Sequence, residues 1–255
     1  MAHLPVGILG IGTYLPKEVR NNDFWDDSFT ATFEERKRGD ITIPELTDPV
    51  ASDIAKEVIG KYESDPFRGS VERRVLDADL SPSWMEIEAA RVAIDRANIK
   101  PSDIDLVITA SMVPDVLGSN NAALVHHGLG LRRDVASVAI DNHCSSLLPS
   151  LNFAAQLVAG GSVKCALLVQ SVAFSRILDY QKPLSVNFGD GASAAIVGRV
   201  DACRGVLGWS SFTDGSYHRA AAIAPKLGGE WYQGTSRRVV AALDFEKGRT
   251  LGLKL

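Results

Sequence analysis

Apolar positions in this chain fall into short β-branched runs that alternate with longer stretches of leucine and small residues. Val6–Gly10 reads as a buried strand broken by glycines. Between Tyr14 and about Arg74 the pattern gives way to loop, punctuated by Pro16, Pro44, Pro49 and Pro66. Within it, Asp48–Lys61 places Val50, Ile54, Ala55 and Val58 on one helical face. From residue 81 the alternation becomes regular. Ser81 or Ser83 caps a helix over Trp84–Asn98, with Glu86 and Glu88 against its positive end and Ala89, Ala90, Ala93, Ile94 and Ala97 as its apolar face. Asp105–Ser111 then predicts a strand, Asn120–Leu129 a helix and Ala136–Ile140 a short buried strand. A Leu/Ala-rich helix runs from Leu147 to the glycine stop at Gly160-Gly161, followed by a strand at Lys164–Gln170. Ala192–Arg199 and Gly205–Phe212 add two strands with no helix between them. Such alternation predicts an α/β fold, layered α-β-α, around a mixed and largely parallel sheet.

Composition narrows the class without naming a function. The 255 residues are 45% hydrophobic and 23% charged, enough to bury a sizeable core. A net charge of −4 argues against nucleic acid or an anionic membrane as partner, and Arg73-Arg74, Arg132-Arg133 and Arg237-Arg238 read as solvated faces. Three cysteines make no disulfide framework, and no run approaches the roughly 18 apolar residues of a membrane span. Met1-Ala-His-Leu-Pro5 lacks the regions of a signal peptide, so a soluble cytoplasmic protein is expected.

Cys144 is the candidate for chemistry. It stands in Asp141-Asn-His-Cys-Ser-Ser146, between a strand and a helix, and is expected on that helix's first turn. Unpaired amide N–H groups and the helix dipole favour a thiolate there. A small buried hydrophobe suits the same position equally from this turn alone. Cys165 and Cys203 lie inside apolar runs and read as core. His143 adjoins the cysteine but points away from it by strand alternation, and His126, His127 and His218 take helix-surface or turn roles. Gly7-x-x-Gly10-x-Gly12 has the wrong spacing for a dinucleotide loop and no helix after it. Asp190, in Phe188-Gly-Asp-Gly191, reads as a turn residue.

Taken together, Gly7–Pro16, Ser83–Ile94, Asp105–Ser111, the Cys144 turn, Lys164–Arg176 and Asn187–Val197 resemble the β-ketoacyl-acyl carrier protein synthase III family of condensing enzymes, of the thiolase fold. The pairing of the cysteine turn with Phe188-Gly-Asp-Gly191 some 45 residues later carries most of the specificity. The resemblance implies acyl transfer through an acyl-S-Cys144 intermediate and decarboxylative condensation with a malonyl thioester. Its substrates are acyl-coenzyme A or acyl carrier protein thioesters, with no further cofactor and no metal, in a homodimer. It places Val116, Leu117 and Phe188 at the acyl pocket, the first two in a loop reaching across the dimer, although ordinary loop packing suits them as well. Arg68 falls near a coenzyme A-binding arginine, but the tryptophan expected before it is missing and a surface role fits better.

The resemblance divides the chain into a first thiolase-like half, 1–218, with an insertion at about 23–70, and a segment 219–255 that starts an incomplete second half. The family's catalytic histidine and asparagine belong to that second half, so a truncated or split enzyme is expected. His143 before the cysteine and Ser146 two positions after it depart from the family's small residue and glycine. They leave open a relative that passes an acyl group to an oxygen or nitrogen acceptor. A non-catalytic partner subunit or inactive fragment is the other open reading.

Overall fold

The computed structural model describes residues 5–36, 48–60, 62, 65–67, 69–116, 119–201, 204–217, 222–225 and 239–242. Its elements run in chain order β1 (Val6–Tyr14), β2 (Glu18–Asn21), α1 (Asp27–Arg36), α2 (Pro49–Gly60), β3 (Glu72–Val75), α3 (Pro82–Arg96), β4 (Leu106–Ser111), α4 (Ala122–Gly128), β5 (Ala136–Ala139), α5 (Leu147–Ala159), β6 (Cys165–Ala173), β7 (Asp190–Arg199), β8 (Ala222–Pro225) and β9 (Val239–Ala242). They belong to two compact units. The first draws on Met1–Glu18, Arg74–Arg176 and Gly189–Ser211, the second on Val19–Arg73, Ile177–Phe188 and Phe212–Leu255.

In the first unit the least interrupted apolar runs become interior strands. The sheet order is β1-β7-β6-β4-β5. β4 pairs in parallel with both β5 and β6, while β7 is antiparallel to β6 and to β1. Four strands therefore point one way and β7 alone is reversed, the mixed, largely parallel sheet that the alternation predicts. Helices cover both faces. Met85, Ala89, Ala90 and Ala93 of α3 and Val125 of α4 pack on Val107, Leu167, Val169, Ala194 and Ile196. Ala154, Ala155 and Val158 of α5 pack on Leu106, Ile108, Ala166, Leu168 and Val197 on the other face. Burial of β4 and β6 on both sides explains their continuous apolar sequence.

Local chemistry sets the ends of α3. The Ser81 hydroxyl accepts from the Trp84 N–H at 3.2 Å and Pro82 opens the helix, while Asn98, at φ 53°, closes it in the left-handed region. β1 meets this helix through Gly10 and Gly12, where an added Cβ would stand 2.6 Å and 2.0 Å from the carbonyl oxygens of Ala93 and Ala89. Close helix–strand approach is thus the role of the glycine motif that opens the chain.

Two strand readings need correction. β5 is not buried, because it is an outer strand paired only with β4 among the described residues, and Ala136, Val138 and Ala139 are exposed. Gly205–Phe212 is not a strand: only Val206 reaches the sheet, donating to the Val6 carbonyl at 2.9 Å, and Leu207 and Phe212 are exposed. Its glycines and Ser210-Ser211 offer little to a ladder, and Gly205 lies at φ 120°.

The second unit is built on aromatics. Trp25, Phe29, Phe67 and Val186 form its buried cluster, with Tyr180 packed against it. The buried Arg73 stacks 4.7 Å from the Trp25 ring centre and donates through Nε to the Val186 carbonyl at 2.6 Å; burial lowers its pKa. The loop expected here contains α1, which Asp26 caps by accepting from the Phe29 N–H at 2.9 Å. α2 forms where the periodicity places it, but Val50, Ile54 and Val58 are exposed and Ser52 is the buried residue. With the aromatic cluster serving as this unit's core, the apolar stripe of α2 faces solvent. β2 pairs with β3, and β8 with β9, in separate two-stranded sheets.

Candidate active site

The chain leaves β5 through six polar or small residues that bond to one another. Ile140 still donates its N–H to the Thr109 carbonyl at 3.0 Å, which holds the exit beside β4. The Asp141 carboxylate then accepts from the His143 N–H at 2.9 Å. The Ser146 hydroxyl is buried, accepts from the Asn142 N–H at 2.8 Å and donates to the His143 carbonyl at 2.7 Å. Asn142 donates through Nδ2 to the Ser145 hydroxyl at 2.8 Å. These bonds fold His143–Ser145 into a 3-10 turn with Cys144 exposed at its centre.

Cys144 therefore lies in a tight turn three residues before α5, not on the first turn of α5 as the sequence reading has it. Short side chains bonding to the nearby backbone displace the α-helical pattern at this point. His143 sits at φ 48°, a left-handed conformation that costs a non-glycine residue on the order of 1–2 kcal/mol and is held here by the turn's other bonds.

Topology places this turn at a switch point of the sheet. The crossover from β4 to β5 runs through α4 on the α3 face of the sheet. The crossover from β5 to β6 runs back past β4 through α5 on the opposite face. Right-handed crossovers that reverse direction must change faces. The connections after β4 and β5 thus part at the carboxyl ends of two adjacent strands. That is the switch point where open α/β sheets bind ligands. The Cys144 turn follows one of these strands, and the segment in which Val116 is 53% exposed follows the other.

The other candidate residues are distributed differently. Leu117, Arg68, Cys203 and His218 lie outside the described residues. Phe188 is half-buried and belongs to the second unit. His126 donates through Nε2 to the Arg132 carbonyl, 2.8 Å away, His127 is exposed, and neither lies in the Cys144 turn. Cys165 is buried, and burial followed by Asp105 and Asp103 pushes its thiol up to about 11, which suits a core residue. Asp190 is buried and accepts the N–H groups of Leu76 at 2.7 Å and Ser175 at 2.9 Å, so its two oxygens serve the backbone. Among the described residues no group of three or more His, Cys, Asp or Glu side chains could hold a metal ion, and no helix is long and apolar enough to cross a membrane.

One charged group takes a role other than the one expected from its place in the sequence. Glu86 does not serve the helix dipole; it is fully buried and accepts the hydroxyls of Ser111 and Ser171. Its spacing to Ala89, Ala90 and Ala93 already places it on the inward face of α3, which is the signal that finds it.

Residues 139–215, which include Cys144 and the Phe188-Gly-Asp-Gly191 sequence, whose Asp190 opens β7 and is not the turn residue expected, match the family model of 3-oxoacyl-[acyl-carrier-protein] synthase III. The β-ketoacyl-[acyl-carrier-protein] synthase III of Caldanaerobacter subterraneus subsp. tengcongensis is 30% identical over 214 residues, 84% of this chain and 56% of that protein. Among solved structures, 3-oxoacyl-[acyl-carrier-protein] synthase III from Aquifex aeolicus VF5 superposes with a TM-score of 0.67 at 23% identity, covering 96% of this chain and 66% of that one. The priming β-ketosynthase of the R1128 polyketide biosynthetic pathway superposes with a TM-score of 0.68, also at 23% identity, covering 95% and 64%. The chain thus spans little more than half the length of the curated relative. With its layered α/β sheet and its cysteine turn inside the matched stretch, the chain is similar to the β-ketoacyl synthase III proteins over that part of their length and shares the fold of the solved ones.

Proposed function

We propose that this chain carries the acyl-loading centre of a condensing enzyme resembling β-ketoacyl-acyl carrier protein synthase III, in fatty-acid or polyketide biosynthesis, with Cys144 as nucleophile. The observation that carries the reading is the position of Cys144, exposed in a bonded turn at the switch point of the sheet and inside the family match. In the loading step the deprotonated Sγ attacks the carbonyl carbon of an acyl thioester. The backbone N–H of Cys144 serves as one donor to the tetrahedral oxyanion. The bond from carbonyl carbon to carrier sulfur breaks, the carrier leaves as a thiolate that takes up a proton, and acyl-S-Cys144 remains.

Acyl-coenzyme A or an acyl carrier protein is the donor, and this step calls for no cofactor. Condensation with a malonyl thioester then consumes the acyl group. The resemblance places the histidine and asparagine that serve its enolate outside the part of the relatives matched here. A cytoplasmic homodimer is the proposed form: β5 offers an edge that is unpaired on one side among the described residues, a template for a second copy. Across that dimer Val116 is proposed to close the acyl pocket.

Intact-mass spectrometry after brief exposure to a panel of acyl-coenzyme A thioesters tests the reading. An acyl adduct on the wild type that is absent from Cys144→Ala is expected, and its preferred chain length identifies the donor. Acylation that persists in Cys144→Ala, or no adduct with any donor, would sink the proposal and point to a structural partner.

A further inference from the structure

The segment after β4 is held by three sets of hydrogen bonds, two of them to α3, that involve the buried Ser83, Glu86, Asn121 and Ser171. At its start, the Ser111 hydroxyl donates to Glu86 Oε1 and the Met112 N–H donates to the Ser171 carbonyl at 3.1 Å. At its middle, Asp115 accepts the Ser83 N–H at 2.8 Å and the Ser83 hydroxyl at 2.6 Å. At its end, Asn121 accepts the Asp115 N–H at 3.2 Å and starts α4, and it has no exposed surface. Ser83 and Glu86 are one turn apart on α3, so both carboxylates of this clamp meet the same stretch of helix.

Glu86 Oε1 also accepts the Ser171 hydroxyl at 2.6 Å, and Ser171 lies in register with Ser111 across β6 and β4. Its Oε2 makes no hydrogen bond of ordinary length among the described residues, although the Asn121 amide acts on the carboxyl more weakly. Burial pushes the Glu86 carboxyl up, Ser111, Ser171 and Asn121 pull against it, and the Asp115 charge adds to the rise. The surroundings are otherwise uncharged. β4 and β6 present serine hydroxyls, Asn121 precedes α4, and His126 of α4 is committed to the Arg132 carbonyl. Among the described residues Asp115 is the one ionisable neighbour that acts on it.

We propose that Glu86 is the positioning residue of the segment after β4: it clamps that segment to α3 and makes the order of the stretch that carries Val116 depend on proton concentration. The clamp stands on the hydrogen bonds alone; its consequence for acyl-chain choice rests on the acyl-transfer reading above. A carboxyl whose native value is raised favours the clamped state fully below the ordinary glutamate range. That contribution is lost as pH rises through the raised value, because an unpaired buried carboxylate beside Asp115 is costly.

Hydrogen exchange measured by mass spectrometry on the full chain, corrected for the intrinsic pH dependence of exchange, tests this on the peptide spanning residues 112–121. In the wild type, protection is expected to be flat in acid and to fall as pH rises, by no more than about tenfold per pH unit, the limit for one proton. In Glu86→Gln the fall disappears. In Ser171→Ala it moves to higher pH, because a hydroxyl that favours the charged form is gone. No fall in the wild type, the same fall in Glu86→Gln, or an unmoved fall in Ser171→Ala each overturns the proposal. Acyl loading of Cys144 in the same samples separates the two readings. Missing adducts with an intact exchange pattern count against acyl transfer only, and normal adducts with a flat exchange profile count against the Glu86 clamp only.

Discussion

Gly12 lies so close to Ala89 that a Cβ on the glycine would stand 2.0 Å from the Ala89 carbonyl oxygen and 2.5 Å from the Ala93 amide nitrogen. Both neighbours are helix backbone, which cannot yield as a side-chain tip can. Gly12→Ala is therefore expected to force β1 and α3 apart and to cost about 1–3 kcal/mol, the usual range for overpacking. Urea unfolding checks this. A change within about 0.5 kcal/mol, the range of a surface substitution, would show that the helix can slide.

The two described cysteines should differ in reactivity. Cys144 is exposed, whereas Cys165 is buried with its thiol pushed up to about 11. Iodoacetamide at neutral pH is expected to label Cys144 in the native protein and Cys165 only after unfolding, as read by peptide mapping. Equal labelling of both in the native state contradicts this packing.

Asp105 links three elements. Its carboxylate accepts the N–H groups of Lys164 at 2.9 Å and Cys165 at 3.3 Å, and pairs with Arg132 at 2.9 Å. Burial alone would raise its pKa, but the Lys164, Arg132 and Cys165 bonds together hold it below the ordinary aspartate value. The stabilisation is thus present above that ordinary value and is lost as pH falls through the lowered one. Asp105→Asn should cost about 1 kcal/mol near neutrality after solvent screening, with the gap to wild type closing in acid. A gap that stays constant down to strongly acidic pH would mean the carboxylate charge contributes nothing.

His143 tests whether its left-handed backbone is what the Cys144 turn requires. His143→Gly is expected to keep both stability and acyl loading, since glycine adopts φ 48° freely. His143→Val, β-branched and disfavoured there, should lower stability by about 1–2 kcal/mol and slow loading. Melting temperature and adduct formation report the two effects. A valine variant that behaves like wild type would remove strain from the account.

Val116, exposed in the segment after β4, bears on substrate choice. If it closes the acyl pocket, Val116→Phe should shift loading toward shorter acyl chains in a competition among acyl-coenzyme A thioesters. An unchanged preference would assign Val116 to the surface.

Much of the first unit was legible in the sequence because its strands and helices are periodic over their own length. The Leu106–Ser111 and Cys165–Ala173 runs, the small apolar face of α3 and the cap at Ser81 need no partner to be read. α1 was also within reach, since Asp26 is a capping residue before a helical stretch, but its threonines and phenylalanines mask the signal. Cys144 could be placed between a strand and a helix for the same local reason. What the sequence by itself determined, then, was the order of elements, the strand-to-helix position of the cysteine and the small-residue face of α3.

Tertiary structure alone decided the rest, because burial depends on which surfaces meet. Val50, Ile54 and Val58 carry a faultless apolar period yet face solvent, while Glu86, charged on paper, is shut between α3, β4 and β6. β5 is exposed because nothing described pairs with its outer edge. The switch point exists because the crossovers after β4 and β5 reverse direction and so change faces, a relation between strands far apart in the chain that no local window contains.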